Sequence, residues 1–444
     1  MRRLEQQNYK FVMIYPLSFQ NTIYITNFAS KYFAMKTDIN TFRQYVAQVG
    51  EIDPIMIDVQ KAKGIHVWDT EGKEYIDMLS GICVGNIGHC HPRVVDAIKE
   101  QLDKYMHVMV YGEFVQSPQM VYAKYLTENL EDNFSQVFFV NSGSEAIEGA
   151  IKTAKIFTKR REIISFKNSY HGSTLGAVSL MSQEEFRERF LPLLPNCNQI
   201  EYNNEKELDK ITTNTACVVA ESIQAGAGVI LPENNFLKKL RERCSQVGAL
   251  LIMDEIQTGF GRTGKLFAYQ NFDIVPDILC IAKGMGGGMP IGAFVGSDEI
   301  MNSLNNHHPL IGHATTFGGH PVSCISALET LRVINDEKLI DGVEERAKLY
   351  RELLVHPKIK EFRGIGLFNC IELNKDENGD EYPWDKVLIT LFEEGIISGT
   401  HLFNSNCYSI KPPLIIKEEE IRESCKRILR ALDKLFDPER VKGL

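Results

Sequence analysis

Between residues 137 and 282 short apolar runs alternate with amphipathic segments, and few folds accept that rhythm. Val137–Val140, Glu162–Phe166, Cys217–Glu221, Ala249–Met253 and Ile278–Ala282 are of strand length, and Phe236–Ser245 is the clearest of the helical segments between them. Apolar runs too short for a helix and bounded by turn residues read as buried strands. Strands that alternate with helices predict a largely parallel sheet, with ligands met at the strands' carboxyl ends. Polar residues stand there: Asn141-Ser142-Gly143-Ser144-Glu145, Tyr170-His171-Gly172-Ser173, Glu221, Asp254-Glu255 and Lys283.

Lys283 is the most demanding of these. The stretch Asp277–Pro290 delivers it from an apolar run to a break rich in glycine. A lysine at the rim of a core loses hydration, which lowers its pKa and leaves a neutral amine able to attack a carbonyl; a snorkelling strand-end lysine is the plainer reading. At residues 141–145 a strand ends in small residues and opens a helix, which aims free N–H groups at one point suited to a phosphate. A capping box, Ser142 with Glu145, explains the same string and can coexist with that role.

Composition excludes some classes. A net charge of -9 over 444 residues, with no Lys/Arg block, argues against a nucleic-acid partner. The ten cysteines are scattered without a CxxC pair, and His89-Cys90-His91 is too crowded for one ion, so no metal is expected and a reducing, cytoplasmic compartment is the default. No apolar run approaches a membrane span.

The remaining chain frames this centre. Residues 1–34 read as a flexible extension, with Met35 as an alternative start. Ile65–Leu79 alternates about the turn Asp69–Gly72 and predicts a hairpin; Pro92 opens a helix with Val94, Val95, Ile98 and Leu102 on one stripe. Gly259–Gly264 matches GxGxxG, but no helix of the required length follows, so no dinucleotide site is expected. Beyond residue 335 a long helix at Leu339–Leu354, strands at Ile365–Leu373 and Tyr408–Ile416, and a final helix at Glu418–Phe436 suggest a separate α+β lobe.

An amine at Lys283, a phosphate cradle at Gly143 and Ser144, a buried carboxylate at Asp254 and an aromatic face at Tyr170 together suit pyridoxal phosphate. The strings NSGSEAIEGAIKTAK, YHGSTLGA, MDEIQTGFGRTGK, PDILCIAKGMGGGMPIGA and HATTFGGHP resemble the class III aminotransferases of pyridoxal-phosphate fold type I, the ornithine, acetylornithine and 4-aminobutyrate enzymes. The stretch YHGSTLGAVSL is similar to the putrescine-type branch. The resemblance implies an α/β fold with a mostly parallel seven-stranded sheet in a large domain, 102–335, and a small α+β domain built from both chain ends, 35–101 and 336–444.

It further implies that Lys283 forms the internal aldimine, Asp254 pairs with the pyridine nitrogen, Gln257 bonds the phenolic oxygen and Tyr170 stacks on the ring. Ser142, Gly143, Ser144, His171, Glu221 and Thr315 join them at the cofactor. Thr316 is expected to reach the phosphate of the neighbouring subunit, which implies a homodimer with shared active sites. The implied reaction moves an amino group from a terminal amine to a 2-oxo acid by a ping-pong route; an aminomutase or racemase, or a binding protein without catalysis, are the alternatives on the same scaffold.

Three departures concern carboxylate recognition. Ser409 stands where the family's arginine precedes the double proline, Gly226 replaces its gating glutamate, and Ser173 replaces the arginine of the acetylornithine enzymes. The amine and the acceptor therefore stay open. Lys411, two residues from Ser409 and on the same strand face, is a cation that could meet a dicarboxylic acceptor; otherwise it is a solvated strand-end charge and the acceptor is a smaller acid such as pyruvate.

Overall fold

The computed structural model describes residues 39–47, 57–110, 114–306, 313–376 and 378–436. Two units divide the chain, Met1–Asp58 and Val59–Leu444. In the first, the described residues hold the helix Ile39–Tyr45; the extension expected at 1–34 lies outside the described residues.

The second unit opens with β1 (Val59–Lys63), β2 (His66–Asp69) and β3 (Glu74–Asp77), an antiparallel meander whose second turn closes through Gly72 N–H on the Asp69 carbonyl at 3.1 Å. Helix α1 follows, Pro92–Lys104, with the proline at its first turn. Val94 is buried as expected, but Leu102 is 44% exposed. Gln101 takes the inner position instead, because its Nε2 donates to the Tyr105 carbonyl at 2.8 Å and so loses little on burial.

The central sheet has seven strands, β4 (Gln136–Val140), β5 (Glu162–Phe166), β6 (Cys197–Ile200), β7 (Thr215–Glu221), β8 (Leu250–Asp254), β9 (Ile278–Ile281) and β10 (Gly292–Gly296), in the order β4-β10-β9-β8-β7-β5-β6. Pairing is parallel except for β10, which runs antiparallel to both its neighbours. Every residue of β7, β8, β9 and β10 is buried, as strands covered on both faces require. Helix α2 (Gly143–Thr158) lies on this sheet, and Gly149 makes the close approach possible: a Cβ there would meet Phe294 of β10 at 2.2 Å.

The carboxyl-terminal segment differs from expectation in three places. The helix begins at Val343, because Gly342 at φ +72° interrupts the run that precedes it. The strand expected at 365–373 is a hairpin, β11 (Ile359–Ile365) and β12 (Phe368–Leu373), turned at Gly366 with φ +56°. β13 (Ile396–Ile397) pairs parallel with β3, Ile396 opposite Ile76, so residues from both ends of the chain share one sheet. β14 (Thr400–His401) and β15 (Asn404–Ile410) join β12 and β11 in a second sheet; β15 stops before Pro412-Pro413, which cannot continue the ladder. Helix Glu418–Leu435 ends the described chain, and among the described residues no helix is long and apolar enough to cross a membrane.

Candidate active site

Because β4, β5, β7, β8 and β9 share one direction, their carboxyl ends meet at one edge of the sheet. A cavity of about 730 Å³ opens there, lined by Ser142, Gly143, Ser144, Tyr170, His171, Glu221, Asp254, Gln257 and Lys283 among others. All the residues expected at the cofactor line it except Thr315 and Thr316. Thr315 Oγ1 accepts from Asn141 Nδ2 at 2.7 Å, and Thr316 is exposed.

Lys283 follows β9 with φ +46°, a left-handed backbone, and its side chain is partly exposed into the cavity. Burial lowers its pKa, against the attraction of Asp254. The Asp254 carboxylate, at the end of β8, receives the Ile256 N–H at 3.0 Å on Oδ1 and stands 2.7 Å from His171 Nδ1 through Oδ2. Burial pulls the His171 pKa down, but the hydrogen bond and charge of Asp254 win and raise it overall. Strand alternation sends Glu255 to the other face, where Thr258 Oγ1, the N–H groups of Ala268 and Tyr269, and Ser222 Oγ all donate to it. It is an anchor, not a site residue.

Glu221 accepts the N–H of Ala225 at 2.8 Å and of Tyr170 at 3.1 Å, and burial pushes its pKa up to about 7. At the start of α2 only half of the expected capping box forms. Ser142 Oγ accepts from Glu145 N–H at 3.2 Å, but the Glu145 carboxylate turns to the N–H and Nδ2 of Asn141 rather than to Ser142. The first N–H groups of α2 have no acceptor within the helix. A Cβ on Gly143 would meet Ile256 Cδ1 at 2.7 Å, so bare backbone is what this corner admits.

The departures also have structural reasons. At Gly226 an added Cβ would meet the Phe403 ring at 3.0 Å, so that ring fills the space beside it. Ser409 is buried, its Oγ 3.3 Å from Nε2 of His401, whose Nδ1 lies 2.6 Å from the Ala225 carbonyl. Lys411 is not a solvated strand-end charge: it is 3% exposed and forms part of the cavity wall.

His401 escaped the sequence reading because it reaches the cavity only through the register of β14 on β15, Thr400 opposite Tyr408. So did the turn Ser80–Cys83, where four successive residues have φ between 52° and 64°. Its non-glycine members each cost about 1–2 kcal/mol in that conformation. Asp77 Oδ1 holds the turn through the N–H groups of Leu79 and Ser80, and Leu79, Ile82 and Val84 line the cavity. The GxGxxG string has a structural part: the buried Arg262 bonds Asn86 Oδ1 at 2.7 Å and the Lys411 carbonyl at 3.2 Å.

The sequence profile of the family described as aminotransferase class-III matches residues 47–432. This chain belongs to the class-III aminotransferases. It is similar to the acetylornithine aminotransferase of Methanopyrus kandleri, 37% identical over 375 residues, covering 83% of this chain and 92% of that protein. It is similar to the putrescine aminotransferase of Pectobacterium atrosepticum, 37% identical over 385 residues, covering 82% and 78%. Its fold is similar to that of the ornithine aminotransferase of Toxoplasma gondii, with a TM-score of 0.84 at 32% identity over 94% of this chain and 99% of that one, a structure with pyridoxal phosphate at partial occupancy in the active site.

The cofactor of this class-III aminotransferase is pyridoxal phosphate, and the residues fit it. Lys283 places an amine on the cavity, Gly143 lets bare backbone line it at the helix start, and among the described residues the buried His171 Nε2 has no hydrogen-bond partner.

Proposed function

We propose that this aminotransferase moves the amino group of a terminal amine, of the ornithine, acetylornithine, 4-aminobutyrate or diamine type, to a 2-oxo acid by a ping-pong route. The observation that carries it is the meeting of Lys283 and Asp254 on one cavity, each at the carboxyl end of its own parallel strand. When bound, pyridoxal phosphate supplies an aldehyde carbon for amines and an electron sink for the bond that breaks. Burial enlarges the neutral fraction of the Lys283 amine, which attacks a carbonyl carbon and, once released, carries a proton to and from the substrate carbon. Asp254 holds a proton on a ring nitrogen, and His171 keeps that carboxylate oriented. Gln257 donates to a phenolic oxygen, Tyr170 offers its ring face, and Glu221 fixes the Tyr170 and Ala225 backbone. Ser142, Gly143 and Ser144 bind phosphate oxygens.

The dimer belongs to the same proposal. Thr316, exposed and outside its own cavity, serves the phosphate of a partner subunit, with Thr315 positioned beside it by Asn141. Exposed apolar residues such as Phe114, Val115, Met120, Leu175 and Phe317 support a covered face. A large domain at 102–335, a small one from 35–101 and 336–444, and a cytoplasmic location consistent with ten free thiols complete it. The test supplies the holoenzyme with ornithine, acetylornithine, 4-aminobutyrate and diamines, each with and without a 2-oxo acid. New amino acid is expected in step with oxo acid consumed. An isomer of the amine formed without any acceptor would replace this reading by an aminomutase.

A further inference from the structure

Among the described residues lining the cavity, the groups able to carry positive charge are His171, Lys283, His401 and Lys411. Three of them are committed. His171 is held on Asp254, and Lys283 is reserved for carbonyl chemistry. His401 Nδ1 faces a carbonyl oxygen, which can only accept, so the proton sits on Nδ1 and Nε2 is left as an acceptor. Burial, with Lys411 nearby, keeps that ring neutral. Ser409 accordingly donates its hydroxyl proton to His401 Nε2, which leaves Ser409 no donor for an anion.

Lys411 is what remains. Its Nζ lies 4.4 Å over the Phe368 ring and 3.5 Å from Gln257 Oε1, and no ion pair of the described residues includes it. The neighbouring buried cation, Arg262, is turned away onto Asn86 and the carbonyls of Lys411 and Pro412, and does not line the cavity. An ammonium withdrawn from water with one long neutral acceptor is costly until an anion arrives. A half-enclosed cavity that admits a carboxylic acid provides that anion.

We propose that Lys411 receives a carboxylate of the 2-oxo acid acceptor, supplying from residue 411 the charge that Ser409 lacks. This rests on the aminotransferase reading. The groups around Lys411 are Gln257 and Phe368 in contact, with Lys283 and Arg262 as nearby cations, the neutral His401 ring, and Cys83 and Cys370 as thiols. Burial first, then Lys283 and Arg262, bring the Lys411 pKa down to about 8. Its charge is present below that pH and lost above it, so carboxylate binding weakens as pH rises through about 8.

The experiment uses the holoenzyme and Lys411→Met, which keeps the aliphatic stem; the backbone bonds of residue 411 to Met78 and Ser80 do not need the ammonium. KM is measured for 2-oxoglutarate, pyruvate and an uncharged aldehyde acceptor. Binding of glutarate, which cannot react, is read from the cofactor's absorbance. The variant is expected to raise KM for an oxo acid at least about tenfold more than for the aldehyde, which corresponds to about 1.4 kcal/mol. An effect on 2-oxoglutarate alone places the distal carboxylate at Lys411, and an effect on both acids places the carboxylate they share. Glutarate binding should weaken in parallel and lose its dependence on pH near 8, and Lys411→Arg should restore most of it. Equal effects on acids and aldehyde, or a glutarate profile unchanged in the variant, would overturn the proposal. A wild-type protein that transfers from no amine would strike the aminotransferase reading instead, while the glutarate titration would still report on Lys411.

Discussion

Lys283 joins two demands that conflict in most lysines: burial enough to lower its pKa, and access enough to reach a carbonyl. The cavity reconciles them, since the side chain is withdrawn from bulk water yet faces empty space. In the proposed mechanism, replacing Lys283 with Ala removes both the attacking amine and the proton carrier. Transamination with added pyridoxal phosphate is expected to fall below about one-tenth of wild type, with the fold kept by circular dichroism; higher turnover would move these roles to another lysine. Asp254→Asn tests the other pole. A neutral amide cannot hold a ring nitrogen protonated, and a loss of about 3–4 kcal/mol slows the chemical step about 10²–10³-fold. Single-turnover kinetics measure this, and a change smaller than about threefold would leave the Asp254–His171 pair without the role given to it.

Elements, rather than residues, hold the site's dimensions. Helix α2 carries the bare corner at its first turn and is seated on the sheet by Gly149, whose missing side chain leaves room for the Phe294 ring. Gly149→Val forces methyl groups into space that the ring occupies, and Phe294 is fully buried with nowhere to retreat. Overpacking of this kind costs about 1–3 kcal/mol. Urea unfolding should show a lower midpoint by that amount, and an unchanged midpoint would mean that α2 can lift from the sheet freely. The strands were the most legible elements, because four or five buried residues in a row leave little choice of conformation. The turns were not. Gly342 and Gly366 broke segments that read as continuous, since hydrophobic periodicity carries no sign of a backbone at positive φ.

At the scale of the whole molecule, the proposed sharing of active sites between subunits predicts complementation. If Thr316 serves a partner's cofactor, Thr316→Glu places a carboxylate against a phosphate and should abolish activity, as Lys283→Ala does. Mixed after reversible dissociation, the two inactive proteins should regain activity in roughly a quarter of sites, because each hybrid dimer rebuilds one intact site from one Lys283 and one Thr316. Sedimentation would follow the dimer in parallel. No recovery from a mixture that does exchange subunits would confine Thr316 to its own chain.

By itself the sequence determined the parallel sheet, the residues that stand at its strand ends and the family, because these depend on local hydrophobic runs and on strings of contiguous residues such as MDEIQTGFGRTGK and PDILCIAKGMGGGMP. It also exposed the departures at Ser173, Gly226 and Ser409, which are readable as single letters. Only the tertiary structure decided what stands in their place. Phe403 beside Gly226, His401 on Ser409, and Lys411 buried in the wall rather than solvated all depend on how β14 and β15 fold back over the carboxyl edge of a sheet more than a hundred residues away in the chain. Whether a lysine after a strand faces water or a cavity is set by what that edge packs against, and no local pattern around residue 411 records it.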